Sequence, residues 1–213
     1  VGSEMCIRDR KMRDDLIEAE KLKQQLSLNL LQQQVNPHFL YNTLDNICAL
    51  AELDEKETLI QLVMNLSSFY RSSLSNGKMH ISIGQELEIS RAYLEILQIR
   101  YFHKFDFTIT CPEALKNYSC IKLLLQPILE NSIYHGIKGL DRHGILHIEA
   151  EDAGDCIRFT ISDNGRGFSK EDYEKIWQQD ADHFGIKSIQ QRILLYYGPG
   201  YGLSMESPQT GGC

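Results

Sequence analysis

The chain lacks the features that mark several classes of protein. Its 213 residues carry a formal net charge of −7 and contain no basic run, so the attraction to phosphate backbones on which nucleic-acid binding depends is missing. The six cysteines are scattered, without a CxxC pair or a Cys/His cluster, and a reducing, cytosolic setting fits best. No apolar run approaches the roughly 18 residues that span a bilayer, and no secretory signal is visible.

What remains is the composition of an ordinary globular protein, with 42% hydrophobic and 24% charged residues. This length accommodates one or two domains with a buried core. Residues 1–10 show no usable periodicity, and we assign them no function. From Met12 to Leu30, apolar residues recur at helical spacing among Lys, Glu and Gln, which fits a helix entering a coiled coil and, nearly as well, an ordinary amphipathic helix.

A proline followed by a histidine interrupts this helical pattern. Pro37 predicts a kink or break just before His38. In the helix that follows, one face is apolar (Leu40, Leu44, Ile47 and Ala51), and the opposite face carries His38, Asn42 and Asp45. We expect the apolar face to be buried and His38 to be exposed. Taken alone, such a histidine is most often only a solvated surface residue.

A second apolar stripe predicts a second helix, which ends near the Ser75-Asn76-Gly77 stop. The stripe consists of Leu59, Leu62, Val63, Leu66 and Tyr70. Because an isolated pair of helices cannot bury both stripes, we expect the hairpin to dimerise into a four-helix bundle with His38 on its outer surface.

The rest of the chain alternates between helical and strand patterns. After a linker at residues 78–83 we predict helices at 85–101, 122–138 and 186–197, and strands at 105–109, 145–150, 157–162 and 202–207. Asp163, Gly165 and Gly167 follow the third of these strands as a DxGxG pattern. The pattern alone is common turn chemistry. Its place between Asn131, in a helix, and Gly185, before another helix, makes it a much stronger signal.

This is the order of the N, G1 and G2 boxes in the ATP-binding domain that histidine kinases share with DNA gyrase, Hsp90 and MutL. Over residues 30–202 the chain resembles a sensor histidine kinase of the LytS/YesM type. The resemblance is carried by NPHFLYNTLDNI, LLLQPILENSIYHGI, SDNGRGF, GIKSIQQRI and YYGPGYGL.

The resemblance implies an α+β fold in two parts. Residues 11–77 would form a helical linker and the phosphoacceptor hairpin, which dimerises into a four-helix bundle. Residues 84–213 would form a two-layer α/β sandwich that binds ATP, and the last strand of that domain is missing from this sequence. A sheet without that strand has an unpaired edge.

The motif residues suit a nucleotide. As a carboxylate, Asp163 can accept a hydrogen bond from the exocyclic amine of adenine, where guanine presents an oxygen. Gly165 and Gly167 leave room for the backbone to approach the base and phosphates. Gly185 belongs to the G2 box, in which His183 replaces the first glycine of the usual pair.

The helix at 122–138 supplies the other candidate contacts with ATP. Asn131 offers a neutral oxygen to Mg²⁺, and His135 and Lys138 could face the phosphates. Each has a purely structural alternative, since Asn131 could cap or bridge buried backbone and His135 could be favoured by the helix dipole. The polar stretch between Phe168 and Gly185 resembles the lid of this family.

Two further residues receive roles by analogy. Many histidine kinases place an acidic residue directly after the phosphoaccepting histidine, but here that residue is Phe39. We therefore expect Glu130 to be the general base. Asn42, one turn after His38, would orient water when the regulator is dephosphorylated.

The resemblance implies a protein-histidine kinase that transfers the γ-phosphoryl group of Mg-ATP to His38 and then to an aspartate of a response regulator. It also implies a homodimer and a cytoplasmic fragment whose membrane anchor lies outside this stretch, in the bacterial cell membrane. Two alternatives stay open. One is an ATPase of the same superfamily that acts through clamp closure, and the other is a catalytically inactive dimeric scaffold.

Overall fold

The structure, a computed structural model, describes residues 37–74, 79–169, 171 and 184–207. The chain divides into two compact units, Val1–Asn46 and Ile47–Cys213. Several predictions fall outside the described residues: the leader, the helix at 12–30, the stop at 75–77, and most of the lid with His183.

Helix α1 spans Pro37–Glu52, and its burial differs from the expected pattern. His38 is exposed, as predicted. The buried residues, however, are Phe39 and Thr43, and the Thr43 hydroxyl donates to the Phe39 carbonyl at 2.7 Å. On the face predicted to be buried, Leu44 is 43% exposed. The buried stripe is therefore rotated by about 100°, one residue along the helix, from the predicted one.

Helix α2 spans Lys56–Leu74 and buries Leu62, Phe69 and Ser73. Val63, which was expected in the buried stripe, is 43% exposed. The helix packs on the next helix of the chain and belongs to the same compact unit as the residues that follow it. The contacts therefore do not divide the chain at the predicted linker, and the functional division at 78–83 stays a prediction.

The predicted linker contains a short strand. Strand β1, His80–Ser82, pairs antiparallel with β3, Ser119–Ile121. Ser82 also begins helix α3, Ile83–Arg100, with a capping box, in which the Gln85 amide donates to the Ser82 hydroxyl at 3.2 Å and the Gln85 side chain accepts from the Ser82 amide at 3.1 Å. This reciprocal pair satisfies two of the backbone donors that a helix start leaves open.

The main sheet has the order β2-β4-β5, with β2 at Phe105–Thr110, β4 at Gly144–Asp152 and β5 at Ile157–Asp163. Strand β4 lies parallel to β2 and antiparallel to β5. Alternate residues of β4, from Gly144 to Ala150, are buried, and those between them are exposed. One face of the sheet is thus covered, with α3 against β2 and the segment after α4 against β5. The predicted α+β fold is confirmed.

The predicted helix at 122–138 is not one helix. Leu123 has a φ of +54°, so the chain turns before helix α4, Gln126–Asn131, which continues as a π-helix over Ser132–Ile137. A 3₁₀ turn occupies Glu113–Leu115, between β2 and β3, and the last helix, α5, occupies Phe184–Tyr197.

Residues 202–207 form no strand, contrary to the prediction. Instead, the Leu203 amide donates to the Gln190 side chain on α5 at 2.7 Å. None of the described helices is both long enough and apolar enough to cross a bilayer.

Candidate nucleotide-binding site

The site is built around Asp163, the last residue of β5. Its Oδ1 accepts a hydrogen bond from the Gly165 amide at 2.8 Å. A Cβ at Gly165 would lie 2.5 Å from this oxygen and 2.7 Å from the Gly136 backbone, and a Cβ at Gly136 would lie 3.0 Å from Oδ1. Glycine at position 165 is therefore required for the carboxylate to lie against the π-helix, and glycine at 136 makes this contact less crowded.

This carboxylate is partly buried. Burial raises the pKa of Asp163, whereas the hydrogen bonds from the Gly165 amide and the Ser132 hydroxyl favour the ionised form. A buried carboxylate with directed partners is an acceptor of fixed orientation, as recognition of an adenine amine requires. Ser132 and Gly136 were not among the predicted site residues, although a glycine inside a helical pattern was a visible signal.

Hydrogen bonds hold the loop after Asp163 against the start of β4 and the residues before it. Asn164 accepts from the Ile145 amide at 2.8 Å and donates to the His143 carbonyl at 3.1 Å. Arg142 donates to the Asn164 carbonyl at 2.5 Å. Gly167 has a φ of +67°, in the region that favours glycine. The glycines of the DxGxG pattern thus permit a loop that side chains hold in place.

A cavity of about 1120 Å³ adjoins the carboxylate. Asn131, Ser132 and Asp163 line it together with Ile186 of α5, and it continues along β5 to Met205. It is larger than the usual range of about 300–1,000 Å³ for small-molecule sites. The structure therefore brings the predicted residues Asn131 and Asp163 to one cavity of sufficient size for a nucleotide.

Glu130 precedes Asn131 at the end of α4 and is held from two sides. The Tyr93 hydroxyl of α3 donates to Glu130 Oε1 at 3.1 Å. The side-chain amide of Gln126 donates to the same oxygen at 3.2 Å. Tyr93 is another residue that the sequence pattern did not single out, because only the fold brings α3 to α4.

Beyond Asn131, two cationic side chains lie near the same two aromatic rings. Arg100 donates to the Tyr134 hydroxyl at 3.0 Å, and its guanidinium lies 5.4 Å from the ring centre of Tyr101. The Lys138 ammonium lies 5.6 Å from the Tyr134 ring and 5.9 Å from the Tyr101 ring. His135, on the same π-helix, is exposed.

A buried pair of charges holds the turn that precedes α4. Glu86 is fully buried, and its carboxylate accepts from the amides of Leu123 at 2.8 Å and Leu125 at 3.0 Å. Arg192 of α5 donates to the Leu123 carbonyl at 3.1 Å and to the Lys122 carbonyl. Burial raises the pKa of Glu86, and the amides of Leu125 and Leu123 and the charge of Arg192 oppose this shift. Two side chains thus satisfy polar backbone groups of the turn that precedes helix α4.

Helix α5 touches both the start of α4 and strand β3. A Cβ at Gly185 would lie 3.2 Å from Cβ of Pro127, and the Tyr197 hydroxyl accepts from the Ile121 amide at 2.9 Å. The predicted residue Gly185 therefore serves close packing between two helices.

His38 and Asn42 belong to the first compact unit and lie on α1. His38 is exposed and Asn42 is half-buried. The Asn42 amide nitrogen is buried without a hydrogen-bond partner among the described residues.

A mixed sheet covered by helices on one face, and a carboxylate held among glycines beside a large cavity, fit the α/β sandwich that the motifs predicted for an ATP-binding domain. The comparisons with known proteins agree. Residues 118–207 match the family described as histidine kinase-, DNA gyrase B-, and HSP90-like ATPase, and residues 26–105 match the family described as histidine kinase. The chain belongs to the histidine kinase family.

Curated relatives cover most of the chain. Sensor histidine kinase YesM of Bacillus subtilis is 31% identical over 98% of this chain and 36% of its own length. Sensor protein LytS of Staphylococcus haemolyticus is 28% identical over 90% of this chain and 34% of its own length. Sensor histidine kinase BtsS of Escherichia coli K12 is 33% identical over 85% of this chain and 31% of its own length. The chain thus spans about a third of each relative.

The fold has a counterpart among solved structures. A bacterial phosphotransferase aligns with a TM-score of 0.51 at 16% identity, over 87% of this chain and 92% of that one. At this identity the similarity concerns the fold alone.

Proposed function

We propose that this chain is the catalytic part of a sensor histidine kinase, which transfers the γ-phosphoryl group of ATP to His38 and then to an aspartate of a response regulator. The observation that carries the proposal is the cavity shared by Asn131 and Asp163, in which glycines set the Asp163 carboxylate. The exposed His38 on α1 supports it, because a phosphoacceptor must be reachable.

In the first transfer, the unprotonated ring nitrogen of His38 attacks the γ-phosphorus. A nitrogen–phosphorus bond forms while the bond from phosphorus to the bridging oxygen breaks, and ADP leaves. The proton on the other ring nitrogen passes to a base, which we propose is Glu130. Catalysis comes mainly from positioning and from neutralisation of charge on the phosphates.

The remaining candidate residues bind the nucleotide. Asp163 would hold the adenine amine, and Gly165, Gly167 and Gly185 would let the backbone approach the base and the phosphates. His135 and Lys138 would contact phosphate oxygens. Bound Mg²⁺ would neutralise charge on those oxygens.

Asn131 would be the ligand that the protein supplies to Mg²⁺. Among the described residues, no group of three or more His, Cys, Asp or Glu side chains could hold a metal ion. A single amide oxygen nevertheless fits Mg²⁺, which usually keeps several waters and takes further ligands from the substrate phosphates.

We further propose that the chain works as a homodimer, with residues 11–77 as the dimerising and phosphoaccepting part and 84–213 as the catalytic part. Ile60, Val63 and Met64 on α2 are large apolar side chains with 56%, 43% and 66% exposure, and an exposed apolar patch of this kind favours a partner surface. In the full-length protein, this part would lie on the cytoplasmic side of the bacterial membrane.

Labelling with γ-labelled ATP and Mg²⁺ tests the proposal. We expect a protein-bound label that survives alkali and is lost in acid, as for a phosphoramidate. The label should vanish in His38→Gln and persist in His103→Asn, a matched change at another exposed histidine. ATP hydrolysis without protein-bound label would instead identify a clamp-type ATPase, and ATP binding without either reaction would identify a scaffold.

Two variants test the assigned roles. Glu130→Gln should bind ATP but autophosphorylate about a hundredfold or more slowly, with a residual rate that can still be measured, and a wild-type rate of labelling would remove Glu130 as the base. Asn42→Ala should lower dephosphorylation of the phosphorylated regulator, and an unchanged rate would remove that role.

A further inference from the structure

The carboxylate of Glu130 takes its orientation from a neighbouring helix. Its Oε1 receives hydrogen bonds from the Tyr93 hydroxyl at 3.1 Å and from the Gln126 amide at 3.2 Å. Gln126 lies on α4, one turn before Glu130, so it moves with Glu130. Tyr93 lies on α3 and is therefore a contact through which another element sets the position of this carboxylate.

Tyr93 itself is positioned by α2. Its side chain is fully buried, and its ring centre lies 5.8 Å from that of Phe69, a buried residue of α2. A buried phenol of this kind has few alternative rotamers in a close-packed interior. Burial also raises its pKa well above the usual value, so the hydroxyl keeps the proton that it donates.

We propose that Tyr93 is a positioning residue for phosphotransfer, which holds the Glu130 carboxylate in its productive direction and links that direction to the packing of α2. The inference rests on the proposed function, in which Glu130 accepts the proton. Helix α2 follows α1, the helix of His38, after a three-residue turn. A shift of α2 at Phe69 would displace the Tyr93 ring and, through its hydroxyl, the carboxylate.

The variant Tyr93→Phe isolates this role, because it keeps the ring against Phe69 and removes only the donor. We expect kcat for autophosphorylation to fall about tenfold, the lower end of the effect of losing one hydrogen bond to a charged group. The Kd for ATP should change less than twofold, because Tyr93 is absent from the residues that line the cavity.

Tyr70→Phe is the matched control. Tyr70 stacks edge-on against Phe69 at 5.4 Å, and its hydroxyl is buried without a hydrogen-bond partner among the described residues. The variant Tyr70→Phe therefore removes a hydroxyl from the same aromatic cluster without changing a contact of Glu130. The kcat of this variant should equal that of the wild type.

A double variant separates positioning from a merely structural role. In a Glu130→Gln background, Tyr93→Phe should lower kcat no further, whereas general loosening of the fold would lower it again. Phe69→Leu should reproduce the tenfold loss of kcat at unchanged ATP affinity.

The outcomes can be told apart when His38→Gln is run in parallel. If His38→Gln abolishes the label and Tyr93→Phe keeps the wild-type kcat, the role of Tyr93 is wrong while the proposed function stands. Equal losses of kcat in Tyr93→Phe and Tyr70→Phe would also overturn the positioning role of Tyr93. If no phosphohistidine forms in any chain that binds ATP, the proposed function falls and this inference falls with it.

Discussion

Replacement of Glu86 by glutamine is the most informative test of what holds the nucleotide site together. The carboxylate of Glu86 is fully buried and accepts the amides of Leu123 and Leu125. A glutamine of the same size keeps one carbonyl oxygen but turns an NH₂ group toward a backbone donor. It also leaves the buried guanidinium of Arg192 without the opposing charge.

The magnitude follows from these contacts. A hydrogen bond to a charged group contributes about 1.5–3 kcal/mol, and a buried donor left without an acceptor costs about 1–3 kcal/mol. Together these two effects amount to about 2.5–6 kcal/mol. We therefore expect Glu86→Gln to lower the free energy of unfolding by about 3–5 kcal/mol, a large part of the roughly 5–15 kcal/mol available to a domain.

Urea unfolding followed by circular dichroism measures this loss. With a slope of about 2 kcal/mol per molar urea, the midpoint should fall by about 2 M. Glu88→Gln is the matched control, because Glu88 lies on the same helix but is exposed, and its midpoint should stay within about 0.25 M of the wild type. Arg192→Met should lose a similar amount, and the double variant should lose less than the sum. A midpoint shift below about 0.5 M for Glu86→Gln would refute the reasoning.

Three other outcomes follow from the site and the core. Gly165→Ala should abolish ATP binding in calorimetry because its Cβ would lie 2.5 Å from Asp163 Oδ1, whereas Gly139→Ala, with no atom within 4 Å of its Cβ, should bind normally. Burial raises the pKa of Asp163 above 3.8, so the folded chain binds this proton more tightly than the unfolded chain. The free energy of unfolding should therefore fall as pH rises from about 4 through the folded pKa, and Asp163→Asn should remove this slope in thermal melts. Burial raises the pKa of Cys120 to about 12, so mass spectrometry should find Cys120 unalkylated in the folded chain at pH 8, while the exposed Cys48 reacts; equal labelling of the two would contradict this burial.

The features that the sequence predicted well are those with a local signal. The strands β4 and β5 were found within two residues of their observed ends, because alternating side chains are buried on one face of a sheet. Asp163 and Asn131 were placed in the site through their motifs, and the cavity brings them together. Helix α3 was found as well, and its capping box gives it a defined start.

The short strands and the broken helix had no such signal. Strands β1 and β3 have three residues each and exist only because they pair with each other across the chain. The apolar run before Asn131 suits a helix, but Leu123 has a positive φ that Glu86 and Arg192 stabilise from distant parts of the chain. Periodicity cannot reveal a turn whose backbone partners come from other helices.

The buried face of helix α1 was predicted wrongly for a different reason, and this reason bears on how such helices are interpreted. Its sequence supports two faces about 100° apart, one with Leu40 and Leu44 and the other with Phe39 and Thr43. The first has the stronger aliphatic pattern, yet Phe39 and Thr43 are the buried residues, and Leu44 remains 43% exposed. The Thr43 hydroxyl is not an obstacle to burial, because it donates to the Phe39 carbonyl within the helix. A polar residue that can bond to its own helix should therefore be counted as compatible with a buried face. By that rule, the face of Phe39 would have competed equally with the face of Leu40 in the prediction.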